Sequence, residues 1–213
     1  MSESFIAVAS ALDMARENQK ALSLNDIKNQ IRASVAVKVA LLDDEKLLGQ
    51  VKQLAQTCLG ALRNGGKIIF AGNGGSFADA QHLSAEFTSR FLFDRASLAS
   101  LALGTNNSAM SAIGNDYGYE QVFARELSGI AKPEDVFIPI STSGNSPNIL
   151  VAVAVAKEFG VTTVAWTGET GGQLKLMCDC ICIPSHETAH IQECHIMVGH
   201  ILCGLVEREY FNK

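Results

Sequence analysis

Two groups of side chains, far apart in the chain, carry ligand-like chemistry. The first is Gly72-Asn73-Gly74-Gly75-Ser76, followed by His82 and Glu86; the second is Gln192 with His200. Between them runs Ser141-Thr142-Ser143-Gly144-Asn145-Ser146. A glycine-serine loop that opens a helix presents backbone N–H groups to an anion. His82 and Glu86 stand four apart, so on a helix they face the same way and can share a metal or a proton. Together these segments predict a phosphosugar site with a metal and a proton-transfer pair.

Each motif alone has a blander reading. Either loop by itself reads as a turn with a helix cap, and an isolated His-x-x-x-Glu as a solvated pair or a satisfied core histidine. The recurrence of the loops at equivalent places, and the nearness of His82 to the first, favour a site. Gln192 and His200 are eight apart, nearly on one helical face, but an unbroken helix separates their backbones by about 12 Å. That is far for one small ion. If both are ligands, either Gln192 precedes the regular helix or the two come from different subunits. His195 lies off the stripe and reads as structural. His186 and His190 flank the helix start, where each either touches an anion or is simply exposed.

The elements that must position these residues follow from hydrophobic patterning. Lys67–Ala71, Leu98–Leu103, Asp135–Ser141, Val161–Thr167 and Asp179–Pro184 are near-continuous apolar runs, as in strands covered on both faces. Helical patterns fall near Phe77–Phe91, Tyr117–Leu127, Pro147–Phe159, Gly172–Met177 and Thr188–Tyr210. This βαβ alternation predicts an α/β chain with an open, doubly wound parallel sheet. In such sheets ligands bind beyond the carboxyl ends of the strands, where both loops fall. Two amphipathic helices, Leu24–Leu42 and Asp43–Arg63, precede the sheet. Residues 1–23 read as an N-terminal extension and 24–213 as one domain.

Two nucleotide signatures fail. Phe77 occupies the last glycine position of G-x-G-x-x-G, and no Gly-Lys-Ser/Thr follows the first loop. A net charge of −5 on 213 residues, without a cluster of Lys and Arg, argues against nucleic acid. No apolar stretch is long enough to suggest a membrane span. Glu3 stands where a secretory signal carries a cationic flank, and Ala7–Leu12 is too short for its apolar core. Six cysteines then point to reduced thiols in the cytoplasm. Cys178, Cys180 and Cys182 alternate along an expected strand and read as small buried hydrophobes. Zinc sites favour two to four intervening residues at a turn.

The ordered motifs Gly72–Ser76, Asp79-Ala80-Gln81-His82-Leu83-Ser84-Ala85-Glu86, Gly114-Asn115-Asp116-Tyr117-Gly118, Ser141–Pro147 and Ile191-Gln192-Glu193 resemble the phosphoheptose isomerases of the sugar isomerase (SIS) domain superfamily. The resemblance covers roughly residues 24–211. It implies a three-layer αβα sandwich on a five-stranded, flavodoxin-like parallel sheet with extra N-terminal helices. It also implies isomerisation of sedoheptulose 7-phosphate to D-glycero-D-manno-heptose 7-phosphate, the first step toward the activated heptoses of lipopolysaccharide and other surface glycans. The family is typically homotetrameric, with sites at subunit interfaces. His82, Glu86, Gln192 and His200 match its zinc (Zn2+) positions. Asn73, Gly74, Gly75, Ser76, Glu86, Asn115, Asp116, Ser141, Thr142, Ser143, Ser146 and Gln192 match positions that bind substrate. Phe77, Ala189 and His190 depart from common family residues; His190 stands where an arginine is frequent.

Such an isomerisation moves a proton between adjacent carbons through an enediol. Glu86 is the expected base at carbon and His200 the acid–base partner at the oxygens. Zinc would polarise the carbonyl. Two alternatives come with the superfamily: a protein that binds the replication initiator, and an isomerase of another phosphosugar. The presence of both Glu86 and His200 favours an enzyme over the binding protein, and the set His82, Glu86, Gln192 and His200 favours the heptose isomerase over the others.

Overall fold

The computed structural model describes residues 23–212, so all but the last residue of the 1–23 extension lies outside the described residues. The chain divides into two compact units at the Ala36–Val37 bond. Helix α1 spans Leu24–Leu42 and exposes Leu24, Ile27, Ile31, Val35, Val39 and Leu42 at helical spacing. Helix α2, Glu45–Arg63, starts at Asp44, whose carboxylate accepts the Leu47 N–H at 2.9 Å. That cap supplies a partner for one of the donors every helix start leaves over. Its apolar stripe, Leu47, Val51, Leu54, Cys58 and Leu62, is buried.

Five strands stand where the apolar runs predict them, to within a residue or two: β1 Ile68–Gly72, β2 Ser100–Ala102, β3 Val136–Ile140, β4 Thr162–Gly168 and β5 Asp179–Ile183. They form one sheet in the order β2-β1-β3-β4-β5, every pairing parallel. Between and after them lie α3 Gly75–Thr88, α4 Asn107–Tyr117, α5 Val122–Ile130, α6 Pro147–Glu158 and α7 Thr188–Phe211. β1 shows why its run is continuous rather than alternating. Ile68 and Phe70 join the core under α2, α3 and α7, whereas Ile69 and Ala71 join the core under α5 and α6. Burying such side chains contributes about 1.5–3 kcal/mol each. At the base of the sheet Asp135 is buried and accepts from the Lys67 N–H at 3.0 Å, the Lys132 N–H at 2.8 Å and Lys67 Nζ at 2.6 Å.

Two helical expectations need correction. Tyr117 does not begin a helix; it closes α4, and Gly118 at φ +91° breaks the chain before a 3-10 turn, Tyr119–Gln121, leads into α5. α4 has no fully buried residue, so no apolar stripe announces it. Gly172–Met177 contracts to a single 3-10 turn, Leu174–Leu176. Among the described residues no helix is long and apolar enough to cross a membrane. All six cysteines are free thiols, and Cys178 sits in the bend before β5 rather than in the strand.

Candidate active site

β1 and β3 are neighbours, paired from Ile68↔Val136 to Gly72↔Ile140. β1 leads on to β2 on one side and β3 to β4 on the other. The crevice beyond their carboxyl ends is therefore the topological switch point, where open α/β sheets bind ligands. Both glycine-serine loops open there side by side. α3 begins at Gly74 and α6 at Ser146, and neither cap residue bonds its helix through a side chain. Pro147 has no N–H, and the Phe77 and Ile149 N–H groups bond the Gly74 and Ser146 carbonyls, which leaves the N–H groups of Gly75, Ser76 and Asn148 for an anion.

The loops are held by their own polar atoms. Asn73 and Asn148 exchange two amide hydrogen bonds, each 2.9 Å, and the Tyr119 hydroxyl donates to Asn73 Oδ1 at 3.1 Å. Both lone pairs of that oxygen are then used, leaving Asn73 one side-chain N–H for a ligand. Ser141 and Ser146 bond each other through their hydroxyls at 3.0 Å. Thr142 accepts the Gly168 N–H through its carbonyl at 2.9 Å. The Ser143 hydroxyl accepts from the Asn145 N–H at 3.2 Å. Gln192 completes this corner from α7: a Cβ on Gly75 would lie 2.7 Å from Gln192 Nε2 and 3.0 Å from Oε1. Only a glycine at position 75 lets that amide lie over the start of α3.

Farther along α3, His82 and Glu86 meet His200 of α7. His82 Nε2 is 2.8 Å from His200 Nε2 and 3.3 Å from Glu86 Oε1. The approach of the two helices depends on Gly199, where an added Cβ would fall 2.5 Å from Leu83 Cδ2. Phe91 lies flat against the His200 ring, with centroids 5.5 Å apart and planes 16° from parallel. Asp79, one turn ahead of His82, is half-buried; burial raises its carboxyl above the ordinary value and the charge of His82 opposes this. One oxygen of Asp79 has no partner among the described residues.

Helix α7 is continuous from Thr188, so Gln192 does not precede it. Within one chain Gln192 and His200 remain about 12 Å apart along the helix. The chain therefore holds two separate groupings: the loops with Gln192, and the trio His82, Glu86 and His200. Asn115 and Asp116 lie on the last turn of α4, where Asn115 donates to Asp116 Oδ1 at 2.8 Å. Among the described residues neither bonds to the two loops; Tyr119, just beyond them, makes that link. His186 pairs with Glu169 at 2.8 Å on the surface. His195 is buried with Nε2 3.2 Å from the Thr167 carbonyl, and burial lowers it to about 4. Sequence reasoning missed Asn148 and Tyr119. Asn148 had a usable signal, an amide directly after Ser146-Pro147.

The trio fits a divalent metal. Its two imidazole nitrogens and one carboxylate oxygen lie within 4.8 Å of one another. Two histidines and a glutamate are a donor set of catalytic zinc sites, in which a fourth position stays open. Tetrahedral zinc with bonds near 2.05 Å spaces its ligand atoms by about 3.3 Å. The His82–Glu86 separation matches that value, and the two rings need to part slightly.

A parallel sheet with two glycine-serine loops opening helices at its switch point is the arrangement of α/β proteins that take phosphorylated ligands. The sequence profile of the SIS domain matches residues 34–168. A phosphoheptose isomerase of Aneurinibacillus thermoaerophilus is 53% identical over 192 residues, spanning 89% of this chain and 97% of that protein. Among solved structures, a phosphoheptose isomerase from Francisella tularensis superposes with a TM-score of 0.83 at 32% identity, covering 88% of this chain and 99% of that one. That from Neisseria gonorrhoeae gives 0.80 at 38%, covering 86% and 97%. The chain belongs to the SIS domain family and, within it, to the phosphoheptose isomerases. It is a sugar-phosphate isomerase.

Proposed function

We propose that this isomerase converts sedoheptulose 7-phosphate to D-glycero-D-manno-heptose 7-phosphate in the cytoplasm, as the first step toward nucleotide-activated heptoses for surface glycans such as lipopolysaccharide. The observation that carries the reading is the trio at 2.8 and 3.3 Å, built from residues that can both hold a metal and move protons. The uncapped starts of α3 and α6, with Asn73, Gly74, Gly75, Ser76, Ser141, Thr142, Ser143 and Ser146, receive the phosphate end. Asn115, Asp116 and Gln192 meet the sugar hydroxyls. Glu86 removes a proton from the carbon beside the carbonyl and returns it to the neighbouring carbon. His200 moves the accompanying proton between the two oxygens. Zn2+ held by His82, Glu86 and His200 would polarise the carbonyl and steady the charge that develops there; for Glu86 and His200, metal ligand and proton carrier describe different states of the site.

We further assign the fourth ligand, Gln192, to a second copy of the chain, because the pitch of α7 keeps the chain's own Gln192 away. Each site then combines the loops and Gln192 of one copy with the trio of another, in a homotetramer. His82 has 48% of its side chain exposed, as suits a ligand facing a partner, and the apolar stripe of α1 supplies surface to cover.

Proton NMR of sedoheptulose 7-phosphate in heavy water with zinc-supplemented protein tests the reaction. The aldose is expected to form, and Glu86→Gln is expected to abolish its formation while phosphosugar binding persists. No conversion by folded, metal-loaded wild-type protein ends the heptose reading; normal turnover by Glu86→Gln removes that residue as the base.

A further inference from the structure

The trio is steadied from behind by a buried ion pair that lies outside it. Arg95 and Glu207 have side chains only 2% and 0% exposed, and Arg95 Nε donates to Glu207 Oε1 at 2.9 Å. Arg95 follows α3 by a short loop, and Glu207 lies two turns beyond His200 on the same face of α7. Arg95 spends its remaining hydrogen bonds on the end of α3 and the loop after it, and Glu207 spends its own on that same loop. Arg95 Nη2 donates to the Glu86 carbonyl at 2.7 Å. Its Nη1 donates to the carbonyls of Phe87 at 2.6 Å and of Ser89 and Ala96 at 3.0 Å. The Glu86 and Phe87 carbonyls belong to the last turn of α3, where no helical N–H can reach them and a cation meets the negative end of the helix. Glu207 accepts the Phe91 N–H at 2.9 Å on Oε1 and the Leu92 N–H at 2.8 Å on Oε2. Those bonds place the ring of Phe91 flat on His200. Burial works to raise the Glu207 carboxyl, but the Leu92 and Phe91 N–H groups and Arg95 outweigh it and hold the group below its ordinary value.

We infer that Arg95 and Glu207 are positioning residues for the isomerase: Arg95 clamps the end of α3 that carries Glu86, and Glu207, through Phe91, sets the plane of the His200 ring. Neither touches the substrate. The pair joins the two helices that supply the trio, so the base and its partner are fixed by one common anchor. The inference rests on the trio being the reacting group.

Phe91→Leu is the mild test, because it removes the stacked ring and leaves the ion pair whole. Arg95→Lys is the direct test, because an ammonium keeps the charge but carries three donors instead of five. Since Arg95→Lys also threatens folding, both proteins are measured for kcat, for KM and for the 13C-labelled ring signal of His200, together with thermal midpoint. Both variants are expected to lose kcat on the order of 10- to 100-fold, with KM within about threefold of wild type. The His200 signal of Arg95→Lys is expected to move toward its position in Phe91→Leu, showing that the pair acts through that ring. Wild-type kcat in Phe91→Leu, or a His200 signal in folded Arg95→Lys unchanged from wild type, overturns the inference. A wild-type chain that converts no phosphosugar defeats the functional reading instead, and the His200 signal still decides whether the pair sets the ring.

Discussion

Gly75→Ala separates the site from the fold. Gly75 opens α3 and is not among the glycines with positive φ, so alanine is compatible with its backbone. Replacing glycine by alanine in a helix is worth up to about 1 kcal/mol of stability. The new methyl carbon, however, would stand 2.7 Å from Gln192 Nε2, 3.0 Å from Oε1 and 3.1 Å from Cδ. Ordinary contacts between such atoms lie near 3.5–4.0 Å, so the amide must retreat by roughly 1 Å. It can do so, being the far end of a flexible side chain. A misplacement of that size in a positioning group costs about 100-fold in rate, or about 2.7 kcal/mol of transition-state stabilisation. Steady-state isomerisation kinetics and a thermal melt read the two effects separately: kcat/KM should fall about 100-fold, while the midpoint stays level or rises. Adding Gln192→Ala supplies the control. If the methyl acts through Gln192, the double variant is no worse than Gln192→Ala alone. Wild-type kcat/KM in Gly75→Ala, or losses that simply multiply in the double variant, would refute the role given to that amide.

Two further expectations concern buried groups. Burial lowers His195 from its ordinary 6.5 to about 4, so below pH 6.5 the unfolded chain takes up a proton that the native chain refuses until about pH 4. The stability present above pH 6.5 is therefore lost progressively down to pH 4, by on the order of 3 kcal/mol. His195→Gln should flatten the fall of the melting midpoint across this window, and equal slopes in the two proteins would dismiss His195 as its cause. Among the six thiols, Cys178 should react first with a disulfide reagent, because it is half-exposed and the Cys180 thiol beside it lowers its pKa. Cys58 and Cys203 are buried, which pushes both up, and should stay unmodified until the chain unfolds; early labelling of either would contradict their burial.

The sheet was legible because a strand covered on both faces must be apolar at every position, and β1 and β3 are. The loops were legible because glycine, serine and asparagine cluster where a strand must hand over to a helix. α4 was not, since it buries nothing and its start is marked only by Asn106, whose side chain accepts the Ala109 N–H at 3.1 Å. His82 and Glu86 could be paired from spacing alone. The junction of His82 with His200 could not: it depends on α3 and α7 approaching at Leu83 and Gly199, a close contact between residues with no local pattern in common. Arg95 and Glu207 escaped notice for a similar reason. In sequence they are one Arg and one Glu among 17 basic and 22 acidic residues. Only the fold reveals that theirs is a pair sealed from water.

The distribution of charge explains how a protein of net charge −5 can take an anion and give it up again. Neither loop, residues 72–76 or 141–146, contains a Lys or Arg. The donors there are helix-start N–H groups, hydroxyls and amides, whose partial charges are fixed in direction and short in range. Such a cradle holds a phosphate by geometry, while the net negative charge of the chain works against long-range attraction. Product and substrate of an aldose–ketose isomerisation carry the same phosphate, so a deep electrostatic trap would slow release as much as it aided capture. Uniform binding of both lowers KM without accelerating chemistry. The residues proposed to distinguish the enediol from either sugar stand elsewhere, two turns down α3 and at the middle of α7. There two imidazoles and a carboxylate are locked together by close helix packing. On the proposed mechanism, binding at neutral helix starts and proton transfer at the trio are divided between two places within each chain, and Gln192 over Gly75 is the side chain that ties α7 to the first.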